Sequence, residues 1–242
     1  MNLDWGYFFS LFTMSAFYQA CVTVITLSTL GWFFGLILGF VTACAKMSTS
    51  RWLNIPAGVF IWFFRSVPLL VVLVFVYNLP QLFPATGPFL GVPYFAGLVS
   101  LVVTEAAYMA EIHRSGLLAV GKGQKEAGHA LNIGFLGIQR LIVIPQALRI
   151  SMPALTNEYI TAIKLSSLVS AISLPELLQT GQRLYSQNFL VMETLLAVAV
   201  YYVGIVTIFG GALQWLEKRW MCLLVSQTHS LMNNVMLYAK TQ

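Results

Sequence analysis

Four ionisable residues interrupt otherwise apolar sequence: Arg65, Glu105, Glu158 and Lys164. Inside a lipid-spanning helix such a side chain costs about 2.5–3.5 kcal/mol on insertion scales, so it normally faces a partner or a wet cavity. Glu105, Glu158 and Lys164 are therefore candidates for lining a polar pathway. The bland alternative is a set of structural pairs, or helix-end side chains that snorkel to the interface. Arg65 stands beside Ser66 and Pro68, at a helix break, and reads as structural. Glu111 and Arg114 are three apart on one helical face, a candidate ion pair. Other chemistries find little footing. His113, His129 and His229 are too scattered to serve a nucleophile, and Cys21, Cys44 and Cys222 have neither metal-ligand spacing nor a disulfide pattern. Gly116, Gly121 and Lys122 open a phosphate-loop pattern. Gly123 then occupies the place of the magnesium-binding Ser or Thr, so no nucleotide and no cofactor is expected on this chain.

A second group of residues suggests mechanical rather than chemical work. The segment Glu126-Ala127-Gly128-His129-Ala130-Leu131-Asn132 is followed by Ile142-Val143-Ile144-Pro145. A small helix with Ala127, Gly128 and Ala130 on its surface could lie close against a partner protein. Lys122, Lys125 and Arg140 flank it and could meet acidic groups. Asn132 tolerates a left-handed backbone nearly as well as glycine, so the helix can end there in a sharp turn.

The elements that must position these residues are membrane helices. Hydrophobic residues make up 58% of the 242 residues and charged residues only 9%. A soluble surface needs about 25% charge, so part of the solvent here is lipid. No Asp, Glu, Lys, Arg or His occurs over Trp5–Ala45, Ser66–Thr104 or Thr194–Leu216. About 20 apolar residues cross a bilayer core. The pattern predicts an all-α fold in a single membrane domain, with five spans at roughly 17–43, 54–79, 94–112, 151–173 and 191–216. Residues 1–16 suit an interfacial lead-in. Ala43-Cys44-Ala45 resembles a cleavage site, but no basic residue precedes the long first run, which is expected to remain as a span. Gly31, Gly35 and Gly39 form a small-residue row for close helix packing. Pro80, Pro84, Gly87, Pro88, Gly91 and Pro93 punctuate an uncharged loop, residues 113–150 form a long polar one with its own helical pattern, and Glu176 and Arg183 lie in another.

Charge sets the expected orientation. Lys46, Arg51, Arg114, Lys122, Lys125, Arg140, Arg149, Lys218, Arg219 and Lys240 fall on one side, and Arg183 alone on the other. The positive-inside rule then places the N-terminus outside and the C-terminus in the cytoplasm. The tail, 220–242, could lie along the inner interface. The net charge of +5 sits beside apolar runs and does not suggest nucleic acid.

The segment from Glu126 to Pro145 resembles the EAA loop of bacterial binding-protein-dependent ABC importer permeases. Its spacing matches throughout, with Gly128, Asn132 and Ile144 replacing the usual Ala, Gly and Leu. Phe64-Arg65-Ser66-Val67-Pro68-Leu69, Glu105-Ala106-Ala107-Tyr108-Met109-Ala110-Glu111 with Arg114 and Gly116, Lys122-Gly123-Gln124, and Lys164-Leu165-Ser166-Ser167-Leu168 are similar to motifs of the polar amino acid branch. The resemblance covers roughly residues 15–220. It implies a type I importer transmembrane domain in the bacterial inner membrane. The implied partners are a second permease copy, identical or paralogous, two ATP-binding subunits, and a periplasmic or lipid-anchored binding protein. It also implies that Gly123, Gln124, Glu126, Ala127, Gly128, Asn132, Ile142 and Pro145 couple the chain to the ATPase. Glutamate or aspartate is the favoured cargo, with other polar amino acids and opines left open. The competing readings are an ion-coupled carrier or channel, which needs no such loop, and a membrane enzyme, for which no catalytic cluster is apparent.

Overall fold

A computed structural model describes residues 3–219. Every regular element among them is helical. The sequence-based reading of the tail at 220–242, with Cys222, His229 and Lys240, lies outside the described residues. The lead-in forms α1 (Trp5–Ser10), capped by Asp4, which accepts the Tyr7 amide at 2.9 Å. Glu193 accepts the Asp4 amide at 3.0 Å, tying this segment to the last span. Leu11 and Phe17 are fully buried, and Phe17 stacks on Tyr201. The lead-in therefore docks on the bundle as well as suiting an interface.

The first span is α2 (Ser15–Lys46). Its glycine row packs on α6 (Pro93–Ala119). A Cβ on Gly31 would approach that of Leu101 to 3.2 Å, and Cβ atoms on Gly35 and Gly39 would approach those of Glu105 and Met109 to 2.8 Å. No side chain fits between these helices, which explains the spacing of the row.

The second span departs from expectation. One helix was expected over 54–79. The chain instead forms α3 (Arg51–Ser66) and α4 (Leu69–Asn78), and the two halves meet at 106°. Pro68 has no N–H to continue the ladder and forces its predecessor out of the helical region. Val67 accordingly sits at φ −88°, ψ 128°. The proline-rich loop holds 3-10 turns at Leu79–Gln81 and Pro84–Thr86 and one short α-helix, α5 (Gly87–Leu90).

The polar segment at 113–150 carries the helical pattern expected of it. α6 runs past residue 112 to Ala119, and α7 (Lys122–Ala130) and α8 (Phe135–Ile138) follow. A π turn at Gln139–Val143 leads into α9 (Ile144–Leu165). Pro145 cannot donate back to the preceding turn, and the helix widens there. A 3-10 stretch, Ser166–Ile172, ends this span at Ser173, whose φ is 62°.

The segment containing Glu176 and Arg183 is helical rather than a loop: it forms α10 (Leu177–Asn188). Glu176 is buried and caps it, accepting the amides of Leu178 at 2.8 Å and Gln179 at 2.6 Å and the Tyr202 hydroxyl at 2.7 Å. α11 (Val191–Ile205) continues through a π turn to Arg219.

By length and composition, α2, α6 and Val191–Arg219 can each cross a membrane. Counting the bent pair α3–α4 and the pair Phe135–Ile172 with α10, bent by 47°, as one span each gives five. Large apolar side chains such as Phe34, Ile37, Val41, Phe75 and Val203 are exposed, as a lipid-facing surface requires.

Candidate functional site: a charged cavity and a bracing helix

The break at Pro68 does more than bend a span. It turns Arg65–Leu69 across the faces of α6 and α9 and shapes a half-open cavity of about 530 Å³. From α6 come Thr104, Glu105 and Tyr108, and from α9 come Glu158, Thr161 and Leu165. Spacings of three, four and seven place the α9 set on one helical face, and Tyr108 lies three and four residues after Glu105 and Thr104 on one side of α6. Glu105 is only 1% exposed, and its Oε2 has no hydrogen-bond partner among the described residues. The Thr104 hydroxyl beside it is buried and equally unpartnered. Buried polar atoms are normally satisfied, so two such neighbours within one cavity wall are exceptional. Arg65 lays its guanidinium over the Tyr108 ring, 5.5 Å from the centroid. Among the described residues no ion pair joins it to either cavity carboxylate.

The structure thus unites Arg65, Pro68, Glu105 and Glu158, and it separates Lys164 from them. Lys164 is exposed and does not line the cavity, although it lies one turn from Thr161, which does. With Asn157 and Thr161 it forms an exposed polar stripe on a membrane helix. Sequence reasoning assigned no site role to Thr104, Tyr108 and Thr161. The i, i+4 relation of Thr104 to Tyr108 and the i, i+3 relation of Glu158 to Thr161 were the available signals. Glu111 and Arg114 form their ion pair at 2.7 Å, outside this cavity.

The second site surrounds α7. Asn132 adopts φ 57°. Ile133 donates to the Gly128 carbonyl at 3.1 Å and Asn132 to that of His129 at 2.9 Å, the paired bonds of a Schellman turn. Gly123, Gln124, Glu126 and Ala127 are exposed. Gly128 is not on the outer surface, contrary to expectation. It is buried, and a Cβ there would meet Ile142 Cδ1 at 2.9 Å and Ile138 Cγ1 at 3.0 Å. Gly128 and Ile142 therefore brace α7 against the next helix. Pro145, half-buried, sets the π turn behind them. Leu117, Val120, Ile138, Val143 and Ala147 form a small core anchoring this bracket to α6. Deeper along the same contact, Gly116 lets α6 approach the Ala147 carbonyl and the Ser151 side chain, and Ser151 donates to the Ile112 carbonyl at 3.3 Å. Gly116 lies within a continuous helix, so no phosphate loop joins it to Gly121. Leu131, Phe135 and Leu136 are exposed beside the bracket.

A helical membrane bundle with a charged cavity and an external bracket is the architecture of a transport subunit. The model of the binding-protein-dependent transport system inner membrane component family matches residues 35–221, and the chain belongs to that family. It is similar to the octopine transport system permease protein OccM of Rhizobium radiobacter, with 36% identity over 76% of this chain and 80% of OccM. The glutamine transport system permease protein GlnP of Escherichia coli (strain K12) is 32% identical over 90% of this chain and 98% of its own. The crystal structure of an amino acid ABC transporter with histidines superposes with a TM-score of 0.80, at 29% identity over 90% of this chain and 100% of that one. The chain is a multi-pass membrane permease subunit and not an enzyme. In such systems ATP is hydrolysed by a separate chain.

Proposed function

We propose that this chain is the permease subunit of an ATP-driven importer that moves a polar amino acid through the cavity between α3–α4, α6 and α9. One observation carries the reading: Glu158 in the cavity and the bracket of α7 lie at opposite ends of the same helical stretch. A displacement at α7 therefore reaches the cavity without crossing a flexible loop. The exposed Glu126 and Ala127, with Leu131, Phe135 and Leu136 beside them, give an ATPase subunit a polar and an apolar contact. The exposed stripe of Asn157, Thr161 and Lys164 supports a second permease copy, because lipid is a poor neighbour for a lysine. Two ATPase subunits and an external binding protein complete the machine. The basic residues around α7 and the end of α11 support a cytoplasmic bracket and an external N-terminus. Import follows from alternating states biased by ATP and cargo.

Cargo choice has two readings. The motifs from Phe64 to Leu69 and from Glu105 to Glu111 favour glutamate or aspartate. The carboxyl groups of Glu105 and Glu158 favour a cargo carrying positive charge. Uptake into proteoliposomes containing the chain, its ATPase and its binding protein tests the function. Glutamate, aspartate, glutamine, histidine and arginine should be offered. We expect ATP-dependent uptake that Glu126→Lys abolishes by releasing the ATPase. Uptake by the chain alone, driven by an ion gradient, would replace this reading with a secondary carrier.

A further inference from the structure

We infer that the start of α3 holds an anionic phospholipid, its phosphate between Arg51 and Lys46 and one acyl chain along the outer face of the helix. The layout is that of an amphiphile. Arg51, Trp52, Ile55 and Pro56 line an open groove of about 380 Å³. Trp52, Ile55, Val59 and Trp62 are all exposed, and spacings of three, four and three residues draw them into one apolar stripe along α3. Ten residues at 1.5 Å each make the stripe about 15 Å long, the depth of one leaflet of a ~30 Å hydrocarbon core. It points away from the bundle. Ala57 and Ile61, the buried residues of α3, lie on the opposite side, and Ile61 packs on Ala43 of α2 and Ala110 of α6.

Two cations stand at one end of this stripe. Arg51 is exposed. Lys46, the last residue of α2, folds back on the first turns of α3: its ammonium donates to the Asn54 side-chain oxygen at 3.4 Å and occupies space that a Cβ on Gly58 would need. Neither cation is in an ion pair among the described residues, and no Asp or Glu occurs from residue 5 to residue 104. A cation at a membrane boundary that no carboxylate neutralises attracts anionic lipid, at about 5-fold in affinity per residue. Trp52, 90% exposed, is the residue type that sits at headgroup level, its ring on chain carbons and its N–H toward water. A second permease copy fits this face less well. About a two-fold axis along the membrane normal the same residues meet at the same depth, so Arg51 and Lys46 would face their own equivalents. A soluble partner would leave the stripe below the headgroups uncovered.

The test puts the photoreactive residue p-benzoyl-phenylalanine in place of Ile55 in the full chain, assembled with its ATPase. The complex is placed in nanodiscs of equal phosphatidylglycerol and phosphatidylcholine, and the photoadducts are weighed, a readout that does not depend on transport. We expect phosphatidylglycerol adducts to exceed phosphatidylcholine adducts about 5- to 20-fold. The same label in place of Val203, exposed on α11, should show little preference. Arg51→Gln should cut the preference at Ile55 about 5-fold, and Arg51→Lys should keep most of it. Co-elution with the ATPase checks that each variant is folded. Equal labelling of the two lipids at Ile55, or a preference that survives Arg51→Gln, overturns the bound headgroup. An adduct with a second permease chain, or no lipid adduct at Ile55 where Val203 gives one, shows that protein covers the stripe and overturns the lipid site.

Discussion

At the scale of single residues, local backbone and packing constraints make sharp demands on sequence. Asn132 holds a left-handed conformation that a β-branched residue resists. We predict that Asn132→Val lowers stability by about 1–2 kcal/mol, read as a lower Tm of the purified complex. Asn132→Gly should leave Tm close to its starting value. Gly35 faces Glu105 across the α2–α6 contact at a spacing that excludes a side chain. Gly35→Leu should cost about 1–3 kcal/mol through overpacking. It should also push Glu105 out of place, so that lost uptake accompanies the lower Tm. The Asn132 turn was legible because the tolerance of Asn for this conformation is intrinsic. The pairing of Gly35 with Glu105 was not, because a glycine row shows that some helix comes close without saying which one.

At the scale of elements, the sequence located breaks better than it described them. Pro68 beside Arg65 announced a discontinuity, yet hydropathy over 54–79 reads as one span, since a window average is blind to direction. α10 escaped notice for the opposite reason: its Gln179, Gln182, Arg183 and Gln187 give no apolar signal, and Glu176 makes the helix by capping it. Glu105 and Glu158 stood out as charges in apolar surroundings, but only the folded chain places them in one cavity and leaves Lys164 outside. Two element-level predictions follow from this geometry. Pro68→Ala should relax the 106° bend and lower uptake with little loss of assembly, measured by co-elution with the ATPase. Gly128→Val should overpack α7 against Ile138 and Ile142 and uncouple ATP hydrolysis from uptake. Shortening the neighbour with Ile142→Ala should restore part of the coupling, which a surface role for Gly128 would not allow.

At the scale of the whole molecule, the exposed stripe on α9 makes a claim about assembly. With the native cysteines replaced, Thr161→Cys should form a disulfide between two copies under mild oxidation if the pair is identical. Failure to cross-link in a complex that still transports would point to a paralogous partner. The contact of Gly116 with Ala147 and Ser151 has a mechanical consequence. A side chain at Gly116 would collide with Ser151 and the Ala147 carbonyl, so this close contact is a place about which α9 could tilt. The contact is a fulcrum. At 1.5 Å per residue, the arm from Ala147 to Ile138 is about 14 Å and the arm to Glu158 about 16 Å. Nearly equal arms return a push at the bracket to the cavity with similar size and opposite sense. The molecule would then be a seesaw that opens its grip on one side of the pivot as it is pressed on the other.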